Sequence, residues 1–284
     1  MTSPAFHALR EKYAAGLRHF IASTRSLEVL ASVPSERHDS PTTDILYVLD
    51  SSFNPPTLAH SRIATSALLE NPHKPARLLL LLATQNADKP SKPASFEDRL
   101  VMMELFARDL LSSLRTNESV PVPRNLPVID IGVTKKPYFV DKAAEIERAG
   151  VYPQPLEQVH LTGYDTLIRI FNPKYYPPEH TLQPLGPFLS QHRLRVTMRP
   201  DSDWGSRDEQ EAFMTDLAQG GKDSVGGNRE WAQRIKLVEG KKPGAPSVSS
   251  TRAREAAVTN SQDLEWLVPP SVREAILTER PYTD

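Results

Sequence analysis

The sequence predicts an α/β protein: a Rossmann-like, doubly wound parallel sheet of five or six strands with a helical extension at the N-terminus. Three observations support this fold class. Short apolar runs alternate with helical patterns along the chain, and this alternation is typical of parallel sheets. The 284 residues suffice for a substantial core, and no internal repeat is present. Apolar residues make up 39% and charged residues 24%, a globular composition.

Composition and charge exclude several classes of protein. The formal net charge is −1 at pH 7, so there is no electrostatic case for binding duplex nucleic acid or an anionic membrane. The chain has no cysteine, which excludes disulfides, cysteine-ligated zinc and thiol nucleophiles and suits a reducing compartment. The N-terminus lacks the apolar core of a secretory signal. We therefore expect a cytoplasmic or nuclear protein with no nucleic-acid or membrane partner.

The first 43 residues are predicted to form an N-terminal helix and a linker ahead of the main domain. Residues 1–30 carry apolar side chains at helical spacing, and residues 32–43 are polar and form the predicted linker. The apolar positions of the helix are Phe6, Leu9, Tyr13, Leu17 and Phe20. Residues 44–284 are predicted to form the α/β domain.

Strands and helices are predicted to alternate through this domain, as a parallel sheet requires. The apolar run 45–49 is typical of a buried parallel strand, and the helix that follows begins at a Thr or Pro cap. Residues 201–229, rich in Asp, Gly and Ser, are predicted to be a long, partly mobile loop. The other predicted strands are 77–83, 128–133, 159–162, 193–198 and 235–238, and the predicted helices are 57–69, 95–114, 139–149, 165–171, 251–258 and 271–279.

The stretch Asp50-Ser-Ser-Phe-Asn-Pro-Pro-Thr-Leu-Ala-His60 follows the first predicted strand of the domain. Ligands of doubly wound sheets bind outside the carboxyl ends of the strands, so this position alone makes the stretch a candidate site. Thr57 and His60 are three residues apart and lie on the same side of the helix's first turn. Free N–H groups favour an anion there, and the hydroxyl and imidazole can add hydrogen bonds to a triphosphate. Alternatively, Thr57 only caps the helix and His60 is a partly exposed surface residue.

A second candidate phosphate site is the stretch Ser247-Val-Ser-Ser-Thr-Arg-Ala-Arg254 near the C-terminus. Hydroxyl groups, free N–H groups and a guanidinium at the start of a helix can together clamp a phosphate. The alternative is a Ser/Thr-capped helix with exposed arginines. Glycine-rich phosphate loops of the P-loop and dinucleotide-binding types do not occur in the sequence.

The first stretch resembles the signature of the nucleotidyltransferase superfamily with a Thr/His-x-x-His motif, and is most similar to nicotinamide/nicotinate mononucleotide adenylyltransferases, particularly their fungal branch. The second stretch is similar to the Ile-Ser-Ser-Thr-x-x-Arg motif of the same family. Two residues depart from the pattern: Ser51 replaces the family's usual glycine, and Ala59 replaces a glycine of many relatives. The resemblance implies contacts to the nucleotide or its phosphates for Ser52, Phe53, Asn54, Thr57, His60, Ser249, Ser250, Thr251 and Arg254.

Weaker matches lie between the two motifs. Lys89 or Lys92 corresponds to a lysine-bearing loop of relatives, and the resemblance implies a contact with the mononucleotide phosphate. Thr162-Gly-Tyr-Asp165 resembles a Gly-Ala/Thr-Asp segment, which implies that Gly163 and Asp165 lie against the adenosine or ribose. Arg199 follows the fifth strand, as an arginine does in relatives, and is implied near the nucleotide. Alternatively, the lysines are solvated loop charges and Asp165 is a helix cap.

The resemblance implies an enzyme that transfers the adenylyl group of ATP to nicotinamide mononucleotide, with nicotinate mononucleotide as a further acceptor, forming NAD and pyrophosphate by direct in-line attack. His60, Arg254 and Thr57 are the implied catalytic residues. Mg²⁺ is the implied cofactor, held mainly by the substrate phosphates and not by a protein cage. Three alternatives stay open: a sister enzyme that adenylates phosphopantetheine or uses CTP, a nucleotide-binding scaffold without turnover, and a protein that acts mainly by docking its N-terminal helix.

Overall fold

Seven strands form one sheet in the computed structural model, which describes residues 4–35, 43–71, 73–85, 94–116, 126–200, 204–240 and 246–282. Their order across the sheet is β1-β4-β3-β2-β5-β6-β7, and every neighbouring pair is parallel except β1 and β4. The strands are β1 (Leu27–Val33), β2 (Ile45–Asp50), β3 (Ala76–Ala83), β4 (Val128–Thr134), β5 (Glu157–Gly163), β6 (Arg193–Thr197) and β7 (Ile235–Val238). The predicted doubly wound α/β fold is confirmed.

Helices cover both faces of this sheet. The two central strands are buried on both sides, and Leu78 to Leu82 of β3 are at most 1% exposed, as expected for a parallel sheet between two helical layers. The α-helices of the described residues are α1 (Pro4–Ala22), α2 (Leu58–Leu68), α3 (Phe96–Thr116), α4 (Phe139–Arg148), α5 (Tyr164–Ile170), α6 (Leu185–Gln191), α7 (Arg207–Gln219), α8 (Ser250–Thr259), α9 (Leu264–Leu267) and α10 (Pro270–Glu279).

The order of the strands reverses between β2 and β5. From β2 the chain proceeds through β3 and β4 towards one edge, and it then returns to the other side of β2 and continues through β5, β6 and β7. The loops that leave the carboxyl ends of β2 and β5 therefore diverge and leave a crevice. The motif of residues 50–60 follows β2, and Gly163 and Asp165 follow β5, so the topology brings both predicted stretches to this crevice.

The N-terminal segment differs from the predicted helix and linker. The helix ends at Ala22, and Leu27–Val33 forms β1, which pairs antiparallel with β4. The predicted helix over residues 1–30 is therefore wrong beyond Ala22, because the open edge of β4 offers backbone partners that a helix cannot use. Helix α1 packs on α3 through the Tyr13 hydroxyl, which donates to Glu104 at 2.6 Å. The sheet thus has seven strands instead of five or six, and a domain boundary at residue 43 stays a prediction.

Residues 204–229 also differ from the predicted long loop, because they contain α7 and a 3-10 turn at Asp223–Val225. Ser206 and Glu209 form a capping box at the start of α7, and Gly220, at φ 95°, ends it. The polar residues that suggested a loop are therefore helix start and stop signals. The short helices α6 and α9 were also not predicted. The other predicted strands and helices are confirmed to within a few residues.

Candidate active site

The loop between β2 and α2 is held in an unusual backbone conformation. Phe53 is fully buried and adopts a positive φ of 44°, which is rare for a side chain of its size. Its ring packs against His60 with the centroids 5.3 Å apart. Burial of the aromatic ring stabilises this loop geometry. The buried Phe53 side chain therefore shapes the loop, whereas the neighbouring Ser52 is exposed.

Thr57 and His60 form a capping box at the start of α2. Thr57 is the N-cap, and the Nδ1 atom of His60 accepts a hydrogen bond from the Thr57 backbone N–H at 3.0 Å. The Thr57 hydroxyl lies 2.9 Å from the same nitrogen, and the Ser51 hydroxyl lies 3.0 Å from Nε2 on the other side of the ring. Thr57 therefore does cap the helix, but His60 is a half-buried, fully engaged group and not a surface histidine.

Burial and, to a smaller extent, the positive charge of Arg199 lower the pKa of His60 to about 4. The imidazole is therefore neutral at physiological pH. Because Nδ1 already accepts the Thr57 N–H, the ring has no free lone pair with which to remove a proton. His60 can act on a ligand as a hydrogen-bond donor, and neither as a cation nor as a general base.

The second motif lies directly against the first. The Ser250 hydroxyl donates to the Pro55 carbonyl at 2.8 Å, across 195 residues of sequence. Arg254 donates from Nη1 to the Asn54 carbonyl at 2.7 Å and from Nη2 to the Thr251 hydroxyl at 3.2 Å. These contacts place the first turn of α8 beside the loop before α2. The two predicted phosphate-binding stretches thus form a single site.

The remaining residues of the α8 terminus have structural roles. Ser249 is the N-cap and accepts from the Arg252 backbone N–H at 3.2 Å. The Arg252 side chain donates to the Ser247 carbonyl and lies over the Trp266 ring, 4.8 Å from its centroid. Arg252 is therefore turned away from the Asn54 loop, in contrast to Arg254 two residues later.

The opposite side of the crevice carries Gly163, Asp165 and Arg199. The Arg199 guanidinium lies 3.5 Å from the Asp165 carboxylate, and its backbone is fixed by two hydrogen bonds to the buried Gln210 of α7. A Cβ at Gly163 would lie 2.6 Å from the Asp165 carboxylate and 3.3 Å from Arg199 Nε. A side chain at position 163 would therefore push the Asp165 carboxylate away from its present place beside Arg199.

Two further charged groups lie near the site, and sequence reasoning gave neither of them a role there. Arg99 of α3 is 4% exposed, and its Nη2 atom has no hydrogen-bond partner among the described residues. Burial lowers the pKa of Arg99, and the nearby charge of Arg254 lowers it too. Lys142 of α4 pairs with Asp50 at the end of β2, at 2.5 Å. The available signal for Arg99 was its place directly before the apolar run 100–103 of the predicted helix.

Several predictions are not decided by this geometry. Lys89 and Lys92 lie outside the described residues. Over the described ranges, no group of three or more His, Asp or Glu side chains is placed to hold a metal ion. In the same ranges, no helix has both the length and the apolarity to cross a membrane.

The doubly wound sheet, with anion-binding groups gathered where its strand order reverses, defines an α/β nucleotide-binding protein. Comparison with known proteins narrows this class. The chain is 36% identical over 276 residues to a Schizosaccharomyces pombe protein named as a candidate nicotinamide mononucleotide adenylyltransferase, and the match covers 96% of this chain and 97% of that protein. The chain therefore belongs to the nicotinamide/nicotinate mononucleotide adenylyltransferase family of nucleotidyltransferases. No family model matches the chain.

A solved structure shows the same fold. Nicotinic acid mononucleotide adenylyltransferase of Plasmodium falciparum, complexed with NaAD, superposes with a TM-score of 0.53 at 12% identity. The superposition covers 84% of this chain and 97% of the Plasmodium chain. At this identity the likeness extends to the architecture of sheet and helices, and it does not assign individual residues.

Proposed function

We propose that this protein transfers the adenylyl group of ATP to nicotinamide mononucleotide, releasing pyrophosphate and forming NAD. One observation carries the proposal: the starts of α2 and α8 lie side by side. Ser250 and Arg254 of α8 donate hydrogen bonds to carbonyls of the loop that precedes α2. The positive ends and free N–H groups of both helices point into one crevice. The family membership of the chain supports adenylyl transfer as the chemistry of this crevice.

In the proposed reaction an oxygen of the mononucleotide phosphate attacks the α-phosphorus of ATP. The bond from the α-phosphorus to the bridging oxygen breaks, and pyrophosphate leaves with that oxygen. The attacking phosphate is already anionic, so the step requires no general base, which agrees with an imidazole that has no free lone pair. The work left to the protein is alignment and stabilisation of phosphate charge. We assign this to Arg254, Thr57 and the hydrogen-bond donation of His60.

The proposed nucleotide position follows from the two sides of the crevice. Ser249, Ser250 and Thr251 are proposed to hold the ATP phosphates at the start of α8. Gly163, Asp165 and Arg199 are proposed to face the adenosine side, and Ser52, Phe53 and Asn54 supply backbone groups beside it. The mononucleotide phosphate is proposed to bind Lys89 or Lys92.

Mg²⁺ is proposed to enter with the triphosphate and to be held mainly by phosphate oxygens and water. The carboxylates closest to the site support this assignment, because Asp50 is paired with Lys142 at 2.5 Å and Asp165 lies 3.5 Å from Arg199. When bound, the ion would neutralise part of the phosphate charge. The residues of the chain then orient the phosphates and stabilise the charge that remains.

The test is NAD formation from ATP, nicotinamide mononucleotide and Mg²⁺ by purified protein, with nicotinate mononucleotide as a second acceptor. We expect turnover by the wild type and a loss of about 100-fold or more in kcat/KM for His60→Ala and Arg254→Ala, typical of removing a donor to transition-state charge. Arg252→Ala is the matched control, because Arg252 lies on the same helix turn but faces Trp266.

Two results would contradict the proposed chemistry, and a third would change only the assigned acceptor. Turnover that falls equally in Arg252→Ala and Arg254→Ala would show that the helix is merely disturbed. ATP binding without turnover of either mononucleotide would favour a different acceptor or a scaffold role. A preference for nicotinate over nicotinamide mononucleotide would change the assigned substrate but not the chemistry.

A further inference from the structure

The hydrogen bonds around His60 determine which of its nitrogens carries the proton. The Thr57 backbone N–H can only donate, so His60 Nδ1, 3.0 Å away, must accept and carries no hydrogen. In a neutral imidazole the single hydrogen is then on Nε2. That hydrogen points to the Ser51 hydroxyl at 3.0 Å. The Ser51 oxygen therefore accepts a hydrogen bond, and its own O–H remains available to donate.

Ser51 lies directly after the carboxyl end of β2, at the edge of the sheet where the strand order reverses. Its backbone N–H donates to the Leu81 carbonyl at 3.2 Å, which continues the pairing of β2 with β3 by one residue. The side chain is thus carried on a fixed backbone at the carboxyl end of β2, and it is half-buried beside the start of α2. Among the described residues, His60 is the hydrogen-bond partner of the Ser51 hydroxyl. The Ser51 hydroxyl therefore accepts a hydrogen bond from His60 and can donate its own hydrogen to a further acceptor.

Thr57, His60 and Ser51 therefore form a directional chain of hydrogen bonds. The Thr57 N–H donates to His60, and His60 donates to Ser51. Each bond polarises the next, so the final O–H is a stronger donor than an isolated serine. The outer end of this chain is the Ser51 hydroxyl and not the imidazole, because the Nε2 hydrogen is already used.

We propose that Ser51 is the group through which His60 acts: the Ser51 hydroxyl donates a hydrogen bond to a phosphate oxygen of the nucleotide, and His60 positions and polarises Ser51 from behind. This inference rests on the proposed function and deepens it. It makes Ser51 the ligand-contacting residue and His60 a positioning residue, so the hydrogen-bond donation assigned above to His60 reaches the phosphate through Ser51. No proton is transferred in this arrangement. The serine at position 51, where glycine is usual in the resembled motif, thereby gains a definite role.

A double-mutant cycle tests this assignment. The variants are Ser51→Ala, His60→Ala and the double variant, with kcat/KM for adenylyl transfer as the readout and Ser112→Ala, an exposed hydroxyl deletion on α3, as the control. We expect a loss of about 100-fold or more for His60→Ala, as above, and of about tenfold or more for Ser51→Ala. The double variant should lose no more than His60→Ala alone, because both changes interrupt the same chain. Thermal unfolding of each variant checks that the protein stays folded.

Two outcomes would overturn the inference. If Ser51→Ala or Ser51→Gly keeps or raises kcat/KM while His60→Ala loses activity, the imidazole contacts the nucleotide directly and Ser51 only competes for it. If the two losses multiply in the double variant, the residues act independently.

A second readout separates this inference from the proposed function. Nitrogen NMR of the His60 ring is expected to show the Nε2–H form both before and after a non-hydrolysable ATP analogue is added. Ser51→Ala is expected to move the Nε2–H signal in the free protein. If the wild type binds the analogue but forms no NAD, the proposed function fails, and the same cycle is then measured on the Kd of the analogue. An Nδ1–H form, or a signal that does not respond to Ser51→Ala, would refute the chain of hydrogen bonds.

Discussion

Replacing His60 by glutamine should remove a pH dependence of stability while preserving the helix cap. His60 stands at the third position after the N-cap Thr57 and accepts its N–H. Glutamine is a standard residue at this position of a capping box, because its amide oxygen can accept the same N–H. The His60→Gln variant therefore keeps the local hydrogen bond and loses only the group that titrates.

The magnitude follows from the pKa of His60. Burial lowers this pKa from 6.5 to about 4, with a further contribution from the charge of Arg199. Between these two pH values the unfolded chain binds a proton at His60 and the folded chain does not, so the free energy of unfolding falls as the pH is lowered from 6.5 towards 4. A difference of about 2.5 in pKa corresponds to about 3 kcal/mol. The ring is half-buried, so solvent screening reduces the expected effect to about 2 kcal/mol.

Urea unfolding of the wild type and His60→Gln at pH 7, 5.5 and 4.5 measures this effect. At pH 7 we expect the two free energies of unfolding to agree within about 1 kcal/mol. On acidification the wild type should lose about 2 kcal/mol more than the variant. The buried His160, whose pKa is also lowered by burial, is present in both proteins and cancels. If the free energies of unfolding of the wild type and His60→Gln fall in parallel with pH, His60 is not the neutral imidazole of a capping box.

Further changes test other parts of the structure. Gly163→Ala brings a methyl group to 2.6 Å from the Asp165 carboxylate and should displace this carboxylate from Arg199. We expect ATP binding, measured by calorimetry, to weaken about tenfold or more, with little change in the unfolding temperature. Leu80→Ala opens a cavity in the fully buried β3 and should cost about 3–4 kcal/mol in urea unfolding; a loss below 1 kcal/mol would contradict the described core. Ser206→Ala removes the N-cap of α7 and should cost about 1 kcal/mol, which equal unfolding midpoints would contradict.

The central fold was predictable because its strands are defined by composition alone. The runs at 45–49 and 78–83 are continuously apolar, as strands buried on both faces must be, and short polar segments separate them from strongly periodic helices. The predicted strand 235–238 is confirmed as β7, which lies at one edge of the sheet. Signals of this kind are local, so they can be read from one sequence without knowing its partners.

The elements that were missed depend on non-local partners. Strand β1 has a weak pattern of its own and forms because the edge of β4 is open, with Leu27 opposite Thr134. Helix α7 is polar on most of its surface, and Gln210 is buried only because it holds the backbone of Arg199. Single-sequence periodicity carries no information about such contacts, so the long loop was predicted in its place.

The sequence predicted which residues belong to the site, but not how their side chains are arranged. The two motifs identified Thr57, His60 and Arg254, but the residue types do not reveal which atoms of the motifs face one another. Only the three-dimensional structure shows that both ring nitrogens of His60 form hydrogen bonds. Nδ1 accepts from the Thr57 N–H, and Nε2 lies 3.0 Å from the Ser51 hydroxyl. The role of Ser51 therefore could not be inferred from its departure from the family pattern.

Arg254 links the stability of the site to its chemistry. A guanidinium has five N–H donors, and here one bonds the Asn54 carbonyl and another the Thr251 hydroxyl. The remaining donors can bind phosphate without releasing the loop, so one side chain both fastens α8 to the first motif and presents charge to a ligand. An activity loss in Arg254→Ala therefore combines two effects. The Ser250 hydroxyl donates to the Pro55 carbonyl, so Ser250→Ala removes this neighbouring anchor and keeps the backbone N–H of residue 250 for a phosphate. The loss in Arg254→Ala beyond that in Ser250→Ala therefore reports mainly the charge.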